Sequence, residues 1–154
     1  MRILWAILCQ SSVVDKQTNN LSLFIVIEEI QIVGPSGGSV QKDARLDLIA
    51  PRVFDLVIMF ARSDFESPEK GKGRVRMKGP EPFSKEGLPQ EFEVDLIEHP
   101  RSRMIVKIPG IPITGKGTHQ FLVDCSSVGQ DWESLFELPI LVTVHLPDTI
   151  SPSL

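Results

Sequence analysis

Polar and apolar residues alternate along several short stretches of this chain, and no stretch repeats at the spacing of a helix. Residues 91–96 read Glu-Phe-Glu-Val-Asp-Leu, and residues 74–78 read Arg-Val-Arg-Met-Lys. Successive side chains of a strand point to opposite faces of its sheet, so this alternation predicts sheets with one solvated and one buried face. The sequence therefore predicts an all-β fold.

Segments of strand length are separated by residues that favour turns. The predicted strands cover residues 3–14, 21–33, 53–62, 74–78, 91–97, 103–108, 118–125 and 133–146. We expect a bulge or bend at Glu28-Glu29, where the alternation slips, a polar loop over 63–73, and a break in the last strand at Pro139. Short strands spaced by turns predict a two-sheet antiparallel sandwich, immunoglobulin-like or C2-like, with a closed barrel as the alternative.

The length and composition suit one globular domain. A chain of 154 residues has room for a core that buries roughly two-thirds of the unfolded surface. We predict a single domain over 1–147 and a flexible tail over 148–154, where the strand pattern has ended. The net charge of −4 argues against a nucleic-acid partner for the surface as a whole.

The apolar run near the N-terminus favours a strand over an export signal. Six apolar residues, Ile3 to Leu8, precede Cys9, whereas the apolar region of a signal peptide has roughly 7 to 15. No run approaches the ~20 apolar residues of a membrane span. Cys9 and Cys125 form no disulfide framework, so we predict reduced thiols in a cytoplasmic protein with no membrane span.

The opening of the chain carries a family likeness. Residues 8–11 read Leu-Cys-Gln-Ser, residues 14–24 read Val-Asp-x-x-Thr-Asn-Asn-x-Ser-Leu-Phe, and residues 27–30 read Ile-Glu-Glu-Ile. This segment resembles a family of short, uncharacterised prokaryotic β-sandwich proteins that typically open Leu-Cys-Asp, with Gln10 in the place of the Asp. The likeness covers about residues 6–30. The family has no established activity, so the resemblance implies a fold and no function.

A second likeness lies late in the chain. Residues 117–123 read Gly-Thr-His-Gln-Phe-Leu-Val. They are similar to the start of a late immunoglobulin strand, Gly-x-Tyr-x-Phe-x-Val, with His119 in the place of the Tyr. We interpret His119 as a hydrogen-bonded core residue, because it shares its predicted face with Phe121 and Val123.

Five basic residues follow one another at every second position of residues 70–78. They are Lys70, Lys72, Arg74, Arg76 and Lys78. In an extended chain they line one face, where they would suit a phosphate backbone. The acidic residues of 91–95 have the same period, and no aromatic residue interleaves the basic ones to stack on bases. We therefore predict a structural hairpin in which Lys78 faces Glu91, Arg76 faces Glu93 and Arg74 faces Asp95, with Gly71 and Gly73 holding the first two lysines in a loop.

The sequence predicts no catalytic, cofactor or metal-binding residues. His99, His119 and His145 lie on separate segments with no ligand spacing, and His145 is expected to be exposed. Calcium needs six to eight oxygen ligands, and the candidate carboxylates are split between two loops and crowded by lysines. Those carboxylates belong to Asp64, Glu66, Glu69, Asp124 and Asp131. No nucleophile, phosphate-loop or zinc-protease motif is present.

These observations leave three functional hypotheses. The first is a non-enzymatic module in a prokaryotic assembly that binds another protein or its own copy. The second is a binding module for calcium, a carbohydrate or a lipid headgroup; for a sugar, Trp132 is the candidate platform, because Trp5 lies in a strand predicted to be buried. The third is an enzyme whose site has no recognised motif. Fold class alone does not choose among them.

Overall fold

The computed structural model describes residues 1–33, 48–50, 52–82, 84, 87, 89–127 and 131–145. These residues form strands and no helix, so the all-β prediction is confirmed. The strands are β1 (Arg2–Val14), β2 (Leu21–Val26), β3 (Glu29–Val33), β4 (Leu48–Ala50), β5 (Phe54–Ala61), β6 (Glu69–Lys78), β7 (Gln90–Leu96), β8 (Arg101–Ile108), β9 (Ile111–Ile113), β10 (Gly117–Ser127) and β11 (Glu133–His145). No helix that could cross a membrane occurs in these ranges.

The strands form two large sheets and one small one. The four-stranded sheet has the order β2-β1-β5-β8, and the five-stranded sheet has the order β3-β11-β10-β6-β7. A two-stranded sheet pairs β4 with β9. One of the sheets is curled into a half-barrel, and every strand pair is antiparallel except β3 with β11, which is parallel.

One hydrophobic core joins the two large sheets. Its members alternate along each strand, as the period of two requires. From the four-stranded sheet come Leu8, Leu56, Ile58, Phe60 and Val106, and from the five-stranded sheet come Val75, Val94, Phe121, Val123 and Ile140. Most of these side chains are aliphatic, so the chain buries its apolar surface mainly through Leu, Ile and Val and needs few aromatic residues.

The predicted second strand is in fact two strands in different sheets. The break falls at Ile27 and at Glu28, which is a bend, close to the Glu28-Glu29 pair where we expected a bulge or bend within one strand. β2 pairs with β1, whereas β3 pairs with β11. The slip in the alternation therefore marks a crossing between sheets, which a bulge cannot make because it leaves the pairing partner unchanged.

β6 begins earlier than predicted, inside the segment that we expected to be a loop. Gly71 and Gly73 lie within it, on its inward face. A Cβ at Gly71 would meet Met1 Cε and Ser126 O at 2.5 and 2.4 Å, and one at Gly73 would meet the Phe92 ring at 2.2 Å. The glycines thus make room for neighbouring groups and do not end the strand.

β11 runs through Pro139 without the predicted break, because β3 pairs only with residues 141–145 and leaves that edge of Pro139 unpaired. The predicted tail at 148–154 lies outside the described residues.

The β1–β2 hairpin curls back over the outer face of the four-stranded sheet. Asp15 stabilises the turn between β1 and β2, because the amides of Gln17 and Thr18 donate to Asp15 Oδ1 at 2.8 Å. Arg103 Nη2 donates to Asn19 Oδ1 at 2.7 Å, although Arg103 lies level with Trp5 in the sheet. Since β1 continues nine residues beyond Trp5, roughly 30 Å if straight, the hairpin has to bend to bring its tip back.

Asp55 stabilises the bend of the β1–β2 hairpin. Its side chain is 1% exposed and accepts from Ser12 N at 2.7 Å, from Ser12 Oγ at 2.6 Å and from Lys107 Nζ at 2.6 Å. Burial by itself raises the pKa of Asp55, but the bonds from Lys107 and Ser12 outweigh it and hold the pKa below its usual value. One carboxylate therefore connects β1, β5 and β8 on the outer face.

We expect Asp55→Ala to lower the free energy of unfolding by about 2–4 kcal/mol, because it leaves the Ser12 donors without their charged acceptor. Chemical denaturation followed by circular dichroism measures the change. Glu98→Ala, which removes an exposed acid, is the control and should stay within about 0.5 kcal/mol. Equal effects for the two variants would contradict the role of Asp55 in stabilising the bend.

Both thiols are free and buried, as predicted. Cys125 belongs to the main hydrophobic cluster, to which both large sheets contribute, whereas Cys9 is fully buried outside that cluster, next to Asp55. Burial raises the pKa of Cys125 to about 12, and burial followed by the Asp55 charge raises the pKa of Cys9. Neither thiolate forms readily at neutral pH.

We therefore expect a thiol reagent at pH 8 to label the native protein at neither cysteine within minutes and the denatured protein at both. Mass spectrometry without reductant counts the labels. A loss of two hydrogens in freshly isolated protein would show a disulfide and contradict the assignment.

Candidate functional site

The period-two basic residues line the outer face of β6, and the acidic strand pairs with them, as predicted. The register is not the predicted one. Lys70 lies opposite Asp95, Lys72 opposite Glu93 and Arg74 opposite Glu91. The partner of Glu91 is thus Arg74 and not Lys78, a displacement of four positions (78 − 74 = 4).

The physical reason for the displacement is the length of β6. Because β6 starts at Glu69, its first half, which contains Gly71 and Gly73, pairs with β7. The chain that connects the paired parts of the two strands is therefore longer than predicted. An even displacement keeps every side chain on its predicted face, so charge alternation alone does not distinguish the two registers. The ion pairs that result are exposed and long: Lys70 Nζ lies 3.7 Å from Glu93 and 4.0 Å from Asp95. Pairs of this kind contribute little to stability.

Arg74 and Arg76 turn instead to the neighbouring strand β10, where Asp124 lies between them. Arg74 Nε donates to Asp124 Oδ2 at 2.8 Å, and Arg76 Nε donates to the same oxygen at 2.6 Å. Arg76 Nη2 reaches Asp124 Oδ1 at 3.0 Å. The Asp124 side chain is 1% exposed, so these are buried, charge-assisted bonds.

The pKa of Asp124 reflects this arrangement. Burial alone raises it, but the hydrogen bonds and charges of Arg76 and Arg74 are stronger and hold the pKa below its usual value. The carboxylate stays ionised at neutral pH and fixes both guanidinium groups on the sheet. From the sequence, Asp124 was weighed only as a calcium candidate and set aside, and this role was not predicted; the signal for it was a lone acid in the apolar run Leu-Val-Asp-Cys.

Trp132 covers Arg74 from above. The guanidinium carbon lies 4.3 Å from the centre of the indole ring, a cation–π contact. Trp132 is half-buried and stands directly before β11, so the end of the β10–β11 connection lies over the outer face of β6. Asp124, Arg74 and Trp132 thus form a stack from the sheet outward.

A groove of about 460 Å³ opens beside this stack. Its walls carry an aromatic ring, two hydroxyl groups and charges of both signs. The lining residues are Lys70, Gly71, Lys72, Glu91, Glu93, Ser126, Ser127 and Trp132. Chemically, such a groove offers cations, anions, hydroxyl groups and an apolar ring to a partner, and this is the candidate functional site.

The histidines do not contribute to it. His119 is fully buried, as predicted: Thr114 N donates to Nε2 at 3.3 Å, and Nδ1 lies 3.4 Å from the Gly117 carbonyl. Burial lowers its pKa despite the bond to Gly117, so the ring stays neutral near pH 7. His145 is exposed, as predicted, and His99 is exposed between β7 and β8.

Three of the candidate calcium ligands, Asp64, Glu69 and Asp124, make other contacts. Asp64 accepts from Glu66 N and Ser67 Oγ within its own turn, and Glu69 pairs with the amino group of Met1. Within the described ranges, no group of three or more acidic, histidine or cysteine side chains is placed to hold a metal ion.

Comparison with known proteins adds no relative. No protein-family model matches this chain, and no curated protein matches it either.

The Asp124 network has a testable pH dependence. Because its pKa is lowered in the folded state, Asp124 stabilises the fold above about pH 4, the unfolded value, and this contribution is lost as the pH falls further toward the folded pKa. We expect the wild-type melting temperature to fall more steeply below pH 4 than that of Asp124→Asn, which has one group fewer to protonate. Parallel slopes from pH 5 to pH 2 would contradict the assignment.

Proposed function

We propose that this chain is an immunoglobulin-like β-sandwich that acts as a non-enzymatic protein-binding module, with the groove beside Trp132 as its binding site. Strand order supports the architecture. In an immunoglobulin sandwich one sheet has strands A, B and E side by side, and the other has G, F, C and C′. β1-β5-β8 match the first order and β11-β10-β6-β7 match the second.

His119 supports the same comparison. An immunoglobulin strand F carries a tyrosine near its start that hydrogen-bonds to backbone a few residues upstream. His119 lies near the start of β10, in the position of strand F, and bonds to the backbone of Thr114 and Gly117. The imidazole thus joins the same two pieces of chain that the tyrosine joins.

The resemblance of residues 6–30 leads us to place the chain among the short prokaryotic β-sandwich proteins. A cytoplasmic location goes with this proposal, since two buried thiols without a disulfide suit a reducing compartment.

The observation that carries the binding proposal is the stack of Trp132 on Arg74. Tryptophan and arginine are the residues most enriched among those that dominate protein–protein affinity, and they do so when they are held rigidly. Asp124 holds Arg74 and Arg74 holds the ring, so little side-chain freedom remains to be lost on binding. The half-exposed ring at a groove edge is then an anchor for a partner.

The charges around the ring favour a protein partner over nucleic acid. Lys70 and Lys72 line the groove together with Glu91 and Glu93. The two glutamates repel phosphates, so a polyanion meets no uniform positive field. A protein surface or extended peptide carries charges of both signs and matches such a groove.

A small-ligand module is the second candidate, and Trp132 favours carbohydrate within that class. A sugar would pack on the exposed part of the indole and hydrogen-bond to the acidic and hydroxyl groups of the groove. Calcium is disfavoured because Asp124 already has two arginine partners.

We expect Trp132→Ala to weaken binding of the partner at least about 30-fold, the effect of removing a dominant contact. Affinity capture with immobilised wild-type and variant protein selects partners that depend on Trp132, and calorimetry with the purified partner then measures the affinities.

Phe65→Ala is a matched control, because Phe65 is also exposed and also touches guanidinium groups, those of Arg2 and Arg101. Its affinity should equal that of the wild type. Equal losses for both variants, or no loss for Trp132→Ala, would contradict the groove assignment. Trp132-dependent binding to a glycan array in place of a protein would favour the second candidate.

A further inference from the structure

The groove beside Trp132 is lined by two lysines and two glutamates, and these four charges are not all paired. Lys70 Nζ lies 3.7 Å from a carboxylate oxygen of Glu93, so these two compensate each other. Lys72 and Glu91 make no ion pair with any residue that the structure describes. One cation and one anion on the walls of the groove are therefore available to a partner.

The strand register explains why these two charges are left over. Glu91 lies opposite Arg74, but the Arg74 guanidinium is turned to Asp124 on the other side of β6. Lys72 lies opposite an acid that pairs with the lysine before it. On β10 the residue beside Lys72 is Ser126, which carries no charge, whereas the residue beside Arg74 is Asp124.

Both charges stand next to the indole ring. Trp132 covers Arg74, Glu91 lies opposite Arg74, and Lys72 lies two positions before Arg74 on the same strand. Lys72 and Glu91 are thus diagonal neighbours on adjacent strands, a relation that separates side chains by about 7–8 Å. Residues i and i+2 of an extended peptide are about 6.6 Å apart and point to the same side. An extended segment can therefore meet both charges with two alternate side chains while another packs on the ring.

We infer that the groove recognises an extended peptide segment that carries an acidic and a basic side chain at positions i and i+2, next to an apolar side chain that packs on Trp132. The acid of the partner pairs with Lys72, and its base pairs with Glu91. A partner with the reverse order sets like charges against each other, so the two residues determine specificity. This specificity rests on the proposed binding function of the groove and adds to it the chemistry of the partner.

The unpaired charges favour a peptide over the other ligand classes. A neutral sugar has no charge to offer to Lys72 or to Glu91. A polyanion pairs with Lys72 but is repelled by Glu91 and by the second glutamate of the groove. A peptide is the ligand that carries both signs of charge at a spacing fixed by its own backbone.

Selection from a displayed library of random octapeptides tests the inference on the full chain. The wild type should enrich peptides with an acid and a base two positions apart. The double variant Lys72→Glu with Glu91→Lys should enrich peptides in which the acid and the base have exchanged places relative to the apolar residue. The net charge of the protein is the same in both selections, so a general charge effect does not produce this exchange.

Fluorescence anisotropy with one selected peptide and its charge-exchanged counterpart measures the preference. The wild type should bind the selected peptide at least about tenfold more tightly than the counterpart, and the double variant should show the opposite preference. Lys72→Gln and Glu91→Gln, which each remove one charge, should each reduce the preference. The matched control is Lys116→Glu with Glu98→Lys, because both residues are exposed and lie outside the lining of the groove. The control should keep the preference of the wild type.

Two results would overturn the inference. One is a wild-type selection that does not enrich the alternate acid and base, and the other is the same preference in the wild type and the double variant. Peptides that require Trp132 but show no charge preference would contradict the specificity and leave the proposed function standing. Peptides with the charge preference that bind Trp132→Ala as tightly as the wild type would contradict the proposed anchor instead.

Discussion

A single buried carboxylate organises the outer face of the five-stranded sheet. Removing Asp124 from water is costly unless its charge is compensated, and two guanidinium groups from the next strand compensate it. Their geometry fixes Arg74 in place, and Arg74 in turn supports the ring of Trp132. The candidate groove is therefore a consequence of how one acid in an apolar strand is satisfied.

The four-stranded sheet also contains a buried carboxylate, but this one acts on the β1–β2 hairpin. Asp55 is also an acid within an apolar strand, and it too is almost fully buried. Its partners come from both neighbouring strands, and they bend the long β1–β2 hairpin back over the sheet. Each large sheet thus has a buried carboxylate that links neighbouring strands through side-chain bonds in addition to the backbone pairing.

The sequence allowed much of the strand pattern to be predicted, because a period of two follows directly from strand geometry. It did not allow the partners of the strands to be predicted. The break at Ile27 looks the same in sequence whether the chain bulges or changes sheets. The four-position displacement between β6 and β7 keeps every charge on its face, so the alternation of Arg74 and Glu91 is compatible with both registers.

The candidate site was less accessible to prediction than the fold. The basic residues of β6 were visible as a pattern, and their acidic neighbours on β7 were found. The decisive contacts come from Asp124 and Trp132, which are distant in sequence from Arg74 and have no periodic relation to it. A lone acid in an apolar run and a lone tryptophan are weak signals until the fold brings them together.

The central claim is that Trp132, held by Arg74, contacts the partner. The chain contains two tryptophans, so a ¹H–¹⁵N correlation spectrum shows two indole resonances, and Trp5 provides an internal reference. On titration with the captured partner, we expect the Trp132 indole resonance to move or broaden while that of Trp5 stays in place. A shift of Trp5 alone, or of neither indole while the partner binds, would contradict it.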